Sequence, residues 1–68
     1  MKEWHLLLKT LSMAEASIVQ GLLEENNIPV QILNKLDSSY LNFGDIEVYV
    51  PVTLKELAKG LLDKGLLN

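Results

Sequence analysis

The sequence predicts one α+β domain over residues 1–68, with the element order β-α-β-β-α. Two segments combine a helix-start signal with apolar residues at helical spacing, and three short apolar segments read as strands. Because each helix has a one-sided apolar stripe, we expect both helices on one face of a three-stranded sheet. The predicted architecture is a two-layer ferredoxin-like sandwich that lacks the fourth strand and has the third strand in the centre.

The predicted strands are residues 3–9, 29–34 and 45–50. The last one alternates most regularly and places its β-branched residues on one face. The residues predicted to face the helices are Trp4, Leu6, Leu8, Val30, Ile32, Ile46, Val48 and Val50. The residues predicted on the open face are His5, Leu7, Gln31, Leu33, Glu47 and Tyr49.

Each predicted helix begins with a capping box, formed by Ser12 and Glu15 in helix 12–26 and by Thr53 and Glu56 in the second helix. The hydrophobic-staple pairs expected beside these boxes are Leu11 with Ala16 and Val52 with Leu57. The first helix is predicted to stop at a left-handed residue within Asn26-Asn27, after which Ile28 folds back on Leu23 and Pro29 prevents continuation. The second helix is predicted to stop at Gly65.

The helical stripes and the strands together predict the core. The stripe residues are Ala14, Ile18, Val19, Leu22 and Leu23 in the first helix and Leu54, Leu57, Ala58, Leu61 and Leu62 in the second. From these we expect Ile18, Leu22, Leu57 and Leu61 to join Val30, Ile32, Ile46, Val48 and Val50 in one core. Gly21 and Gly60 flank the stripes, which suggests a close approach of the backbones there.

Composition restricts the function classes. Six lysines, no arginine and nine acidic residues give a net charge of −3, which disfavours nucleic-acid binding. Without cysteine the chain has no disulfide, thiolate metal site or cysteine nucleophile. No apolar run approaches the roughly 20 residues of a membrane span. We therefore expect a cytoplasmic protein with no metal and no cofactor.

The connection 35–44 is the predicted ligand- or partner-binding element, because it combines turn formers with apolar residues that anchor it to the domain. Its candidate binding residues are Asp37, Ser38, Ser39, Tyr40 and Gly44. A serine nucleophile would need a base and an oxyanion stabiliser within reach, and the sequence offers neither beside these serines. Asp45 and Glu47 share a strand face, which we interpret as solvated surface.

The open sheet face is a second candidate site, with His5, Leu7, Leu33 and Tyr49 as its interface residues. The first strand would be an exposed edge with unpaired backbone groups. A weak homodimer through this edge or the open face is therefore expected, and Leu7→Lys would disrupt it.

Several segments resemble a known family across nearly the whole chain. The matching residues are Trp4–Leu8, Ala14–Ala16, Gly21–Glu24, Asn27–Val30, Gly44–Pro51, Ala58 and Leu61–Leu62. In these the chain is similar to small bacterial domains labelled putative prokaryotic signal-transducing proteins, which resemble the nitrogen-regulatory P-II (GlnB-like) group of ferredoxin-like folds. The chain lacks the long exposed loop and the basic nucleotide-binding residues of those regulators, so no ligand residue is carried over.

The residues and the resemblance together predict a non-enzymatic binding or regulatory module that acts through protein or small-ligand contacts. Two alternatives stay open. One is a structural homo-oligomerisation module that uses the open sheet face. The other is a small hydrolase-like enzyme that uses the 35–44 loop and His5.

Overall fold

The computed structural model describes residues 3–35 and 45–66. Its elements follow the predicted β-α-β-β-α order, with a short 3-10 turn before the second helix. They are β1 (Trp4–Thr10), α1 (Met13–Glu25), β2 (Gln31–Asn34), β3 (Ile46–Pro51), the turn Val52–Leu54 and α2 (Lys55–Leu66). Pro29 and Val30, which were predicted within the second strand, lie just before it.

The sheet has the order β1-β3-β2, and β3 pairs antiparallel with both neighbours. Residues from both helices join the inward residues of β3 in one buried cluster, so the two helices lie on the same face. The predicted fold class is therefore confirmed, with the third strand in the centre.

The core is built around residues that are at most 1% exposed. They are Ala16, Val19, Leu23, Ile28, Ile46, Val48, Val50 and Ala58. Val30, Ile32 and Leu61 pack against this cluster while partly buried, and Leu22 is half-buried. The core prediction is wrong for two residues, since Ile18 is 59% exposed and Leu57 is 53% exposed. Helix α1 is rotated from its predicted stripe, so that Ala16 is buried and Ile18 is exposed. In α2 only Leu57 departs from the predicted stripe, and its other four residues pack in or against the core.

The start of α1 confirms the predicted cap in part. The Ser12 side chain accepts a hydrogen bond from the Glu15 amide at 3.1 Å. The amide of Ser12 donates to the Thr10 hydroxyl at 3.0 Å, so Thr10 takes the acceptor role predicted for the Glu15 carboxylate. Leu11 is 72% exposed, so the predicted staple with Ala16 does not form.

The end of α1 is a Schellman motif. Asn27 has a φ of 63°, and its amide donates to the Glu24 carbonyl at 3.1 Å. The Ile28 amide donates to the Leu23 carbonyl at 3.0 Å, and both side chains belong to the core. The predicted left-handed stop and the fold-back of Ile28 are therefore confirmed.

The second helix begins differently from the prediction. Pro51 precedes the 3-10 turn and provides no side-chain cap, and Thr53 lies inside the turn. Val52 is 38% exposed and, like Leu57, lies outside the core, so the second staple is also absent. Gly65 was predicted to stop this helix, but α2 continues through it to Leu66.

Gly21 and Gly60 are exposed, and a Cβ added at either would meet no atom within 4 Å. The predicted close backbone approach is wrong at both positions. Each glycine lies in a helix interior, where it costs roughly 1 kcal/mol relative to alanine.

Strand β1 contains a bulge that reverses its alternation. Leu6 pairs with Tyr49 and Leu8 pairs with Val48, so Leu7 is the extra residue between them. Directly opposite residues of an antiparallel pair point to the same face. Leu6 therefore shares the open face with Tyr49, and Leu8 shares the core face with Val48.

Candidate functional site

The face of the sheet opposite the helices is organised in rows across the three strands. One end of the face is apolar, because Trp4 pairs with Pro51 there. The next row joins Leu6, Tyr49 and Gln31, and the row after it joins Lys9, Glu47 and Leu33. The surface thus changes from apolar to charged along β3.

Glu47 is the centre of a polar cluster on this open face. Its Oε1 accepts a hydrogen bond from the Tyr49 hydroxyl at 2.8 Å and lies 3.2 Å from the Lys35 ammonium. Its Oε2 lies 4.0 Å from the Lys9 ammonium. The Glu47 side chain is only 8% exposed, whereas both lysine side chains are more than half exposed. The cluster therefore holds a fixed carboxylate beneath two cations that solvent or a ligand can reach.

The contacts of this cluster shift the acidity of both partners. The hydrogen bond from Tyr49, followed by the hydrogen bond and charge of Lys35 and the charge of Lys9, holds the pKa of Glu47 below its ordinary value. Burial acts in the opposite direction but does not cancel these contacts. The same hydrogen bond to Glu47 raises the pKa of Tyr49 above its ordinary value. At neutral pH the pair is therefore a carboxylate acceptor and a phenol donor.

This cluster predicts a specific acid sensitivity of the fold. Because the pKa of Glu47 is lowered on folding, its contribution to stability is complete above the unfolded-state pKa, roughly 4.3. It is lost as the pH falls through the lower folded-state pKa. We expect Glu47→Gln to flatten the decline of the unfolding free energy between about pH 5 and pH 2, measured by urea denaturation at each pH.

The matched control for this measurement is Glu25→Gln. It removes a carboxylate from an exposed position at the end of α1, where Glu25 has no ion pair within residues 3–35 and 45–66. This variant should keep the wild-type acid slope. Equal slopes for wild type and Glu47→Gln would contradict the assigned cluster.

A cleft of about 480 Å³ lies where β1 starts and β3 ends. Its lining is mostly apolar and includes the single tryptophan of the chain. The lining residues are Glu3, Trp4, Pro29, Pro51, Val52 and Thr53. This cleft is the second structural feature that could accept another molecule.

The structure divides the predicted interface residues between the two faces. Leu33 pairs with Glu47 and lies with Tyr49 on the open face, as predicted. His5 pairs with the buried Val50, so it shares the core face. Leu7 packs against the core cluster. The open-face placement of His5 and Leu7 is therefore wrong, and the bulge is its cause.

The predicted binding residues of the 35–44 connection all lie outside the described residues. These are Asp37, Ser38, Ser39, Tyr40 and Gly44. At its ends, the Lys35 amide donates to the Asp45 carbonyl at 2.8 Å. Lys35 and Asp45, the described residues on either side of residues 36–44, are thus held together next to Glu47.

Sequence reasoning missed the role of Glu47, which was interpreted as solvated surface and is 6% exposed. The available signal was its place in the central strand next to Tyr49 at i+2, with a lysine at the end of each neighbouring strand.

No group of three or more acidic or histidine side chains within residues 3–35 and 45–66 could hold a metal ion. None of the helices in these ranges is long and apolar enough to cross a membrane.

Fold and site together define a small open-faced α+β domain with a structured polar cluster on the side away from its helices and a mostly apolar cleft where β1 starts and β3 ends. The chain belongs to the family described as "putative prokaryotic signal transducing protein", which it matches over residues 4–63. The resemblance to this family is thereby confirmed, and the further resemblance to the P-II (GlnB-like) group stays a prediction. No match was found among curated proteins or among solved structures.

Proposed function

We propose that the protein is a cytoplasmic, non-enzymatic regulatory module that binds a protein or small ligand through its open sheet face. The observation that carries this proposal is the Glu47 cluster, a buried carboxylate fixed by a tyrosine and two lysines at the centre of that face. Binding surfaces combine apolar area with a few precisely placed polar groups. The open face has this composition, since Leu6 and Leu33 flank the cluster.

The family membership is consistent with this proposal, because signal transduction requires recognition of a partner or a ligand. The cluster also has a geometric advantage. Tyr49 and Glu47 hold each other in place, so a ligand that contacts them would order few side chains on binding. Each lysine ammonium has three donors and uses only part of them on Glu47, which leaves donors for an incoming acceptor.

The proposal is tested by a thermal-shift screen with nucleotides and metabolites, followed by amide chemical-shift mapping of each hit. We expect saturable shifts at Gln31, Leu33, Glu47 and Tyr49. Tyr49→Phe keeps the aromatic ring but removes the hydroxyl oxygen that fixes Glu47, so it should weaken binding. The control Ile18→Ala, which lies on the exposed side of α1, should leave binding unchanged.

Two results would contradict the proposal. Shifts confined to α1 and α2 would place binding on the helical side. Turnover of a hit that is abolished by His5→Ala would favour the hydrolase-like enzyme.

A second candidate function, homo-oligomerisation, is favoured by the strand order. In the part of the chain that the structure describes, strands β1 and β2 are the two edges of the sheet, so one side of each offers backbone groups for pairing with a second copy. Leu33, 37% exposed on β2, is the apolar residue that such a contact would cover. Sedimentation equilibrium should then show a concentration-dependent dimer that Leu33→Lys weakens. Leu7→Lys is unsuitable, since Leu7 packs on the core.

A further inference from the structure

The cleft at the apolar end of the sheet has walls that the backbone holds in place. Trp4 pairs with Pro51 at the start of β1, and the Val52 amide donates to the Glu3 carbonyl at 2.9 Å. Pro29 and Pro51 have φ fixed by their rings. The cleft is therefore formed before any ligand arrives, which lowers the entropy cost of binding.

The described residues that line the cleft carry one negative charge. Among them Glu3 alone is charged, and its carboxylate has no ion pair within residues 3–35 and 45–66. The turn that starts at Val52 contributes a positive partial charge at its amides, equivalent to roughly half an elementary charge at most. The full charge of Glu3 exceeds it. The lining thus complements a cation.

The type of cation follows from the other walls. An indole is the best aromatic partner for an ammonium group, and two prolines and a valine give apolar contact area beside it. A metal ion would need several oxygen ligands, whereas the described side chains of the lining supply one carboxylate and one hydroxyl. The volume of about 480 Å³ lies within the range of small-molecule sites.

We propose that this cleft binds a small organic cation, an ammonium group carried on an apolar body. The site is separate from the Glu47 cluster and does not depend on the function proposed for the open face. Glu3 supplies the countercharge, Trp4 contacts the cation, and Pro29, Pro51 and Val52 enclose the apolar body.

The experiment uses three probes of nearly equal shape: choline, its neutral carbon isostere dimethylbutanol, and the anionic dimethylbutyrate. Because Trp4 is the only tryptophan and lines the cleft, the tryptophan emission reports changes in the surroundings of this cleft, and the amide shifts locate the binding. We expect choline to change the Trp4 emission saturably and to shift the amides of Glu3, Trp4, Val52 and Thr53. The neutral and anionic probes should bind more weakly. Equal or tighter binding of either would overturn the proposal.

Matched carboxylate variants separate the local charge from the general field of an acidic protein. Glu3→Gln should weaken choline binding by about two- to fivefold, the range of an exposed charge pair. Glu25→Gln removes the same net charge from the end of α1 and should leave the affinity unchanged. Equal weakening in both variants, or no saturable response in wild type up to the solubility of the salt, would overturn the assignment. The same spectra report amide shifts at Gln31 and Leu33, which belong to the open face. A failure of choline to bind in the cleft therefore does not decide the open-face proposal, which has its own readout.

Discussion

Leu23→Ala is expected to destabilise the protein by about 2–5 kcal/mol, the largest loss of any substitution considered for this chain. Leu23 is fully buried between α1 and the sheet, and truncation would leave a cavity that the neighbouring helix cannot fill without moving. A domain of this size has a net stability of roughly 3–5 kcal/mol. Urea denaturation followed by circular dichroism should show a much lower midpoint or a chain already unfolded in water.

The control is a matched leucine truncation, Leu57→Ala, on α2. Leu57 belongs to the predicted apolar stripe, but its side chain is 53% exposed, so we expect a change within about 0.5 kcal/mol. The two variants delete the same atoms from a helix and differ in burial. Similar losses in both would contradict the exposed position of Leu57 and return it to the core predicted from the sequence.

The positions of both helices could be predicted from the sequence, whereas the rotation of α1 about its own axis could not. In α1 the apolar stripe is broad, and Met13 and Ala16 extend it, so the pattern is compatible with more than one buried face. The Schellman motif decides between them, because it places Leu23 and Ile28 together in the core. Ile18 lies five residues earlier, about 140° around the helix from Leu23, and therefore points to solvent. Side-chain hydrophobicity alone favours Ile18 over Ala16.

The assignment of the open face failed in β1 for a different reason. Strict alternation assumes that each residue has one partner, and the bulge at Leu7 breaks this rule. The three consecutive leucines do not indicate where the bulge lies, since every register of β1 against β3 would bury a leucine. In β2 and β3 the alternation is regular, and there the predicted faces of Leu33 and Tyr49 are correct.

The burial of Glu47 shows how tertiary contacts determine the environment of a side chain. On an isolated strand its carboxylate would be solvated, as alternation predicts. The lysines that cover it come from β1 and from the end of β2, and neither is near Glu47 in the sequence. Only the strand order β1-β3-β2 brings them together. The candidate site is thus a product of topology, and the sequence alone contains its residues without their arrangement.

Asn27→Val is expected to cost about 1–2 kcal/mol, because a β-branched side chain is strongly disfavoured at positive φ. Asn27 has a φ of 63° and forms the left-handed turn that closes α1. The turn also sets the course of the chain into Ile28, which is buried, and Pro29, which lines the cleft. The measurement is the free energy of unfolding in urea. The thermal midpoint should fall in parallel.

Asn27→Gly is the matched control, because glycine adopts the left-handed conformation without a steric penalty. It should keep both capping hydrogen bonds, from the amides of residues 27 and 28, and the stability of the wild type to within about 0.5 kcal/mol. A loss from Asn27→Gly as large as that from Asn27→Val would mean that the Asn27 side chain, and not its backbone conformation, stabilises the turn.

Choline binding adds a second readout, since the turn leads into the cleft through Pro29. Asn27→Gly should bind choline as the wild type does. Asn27→Val should bind it more weakly, even under conditions in which this variant is folded.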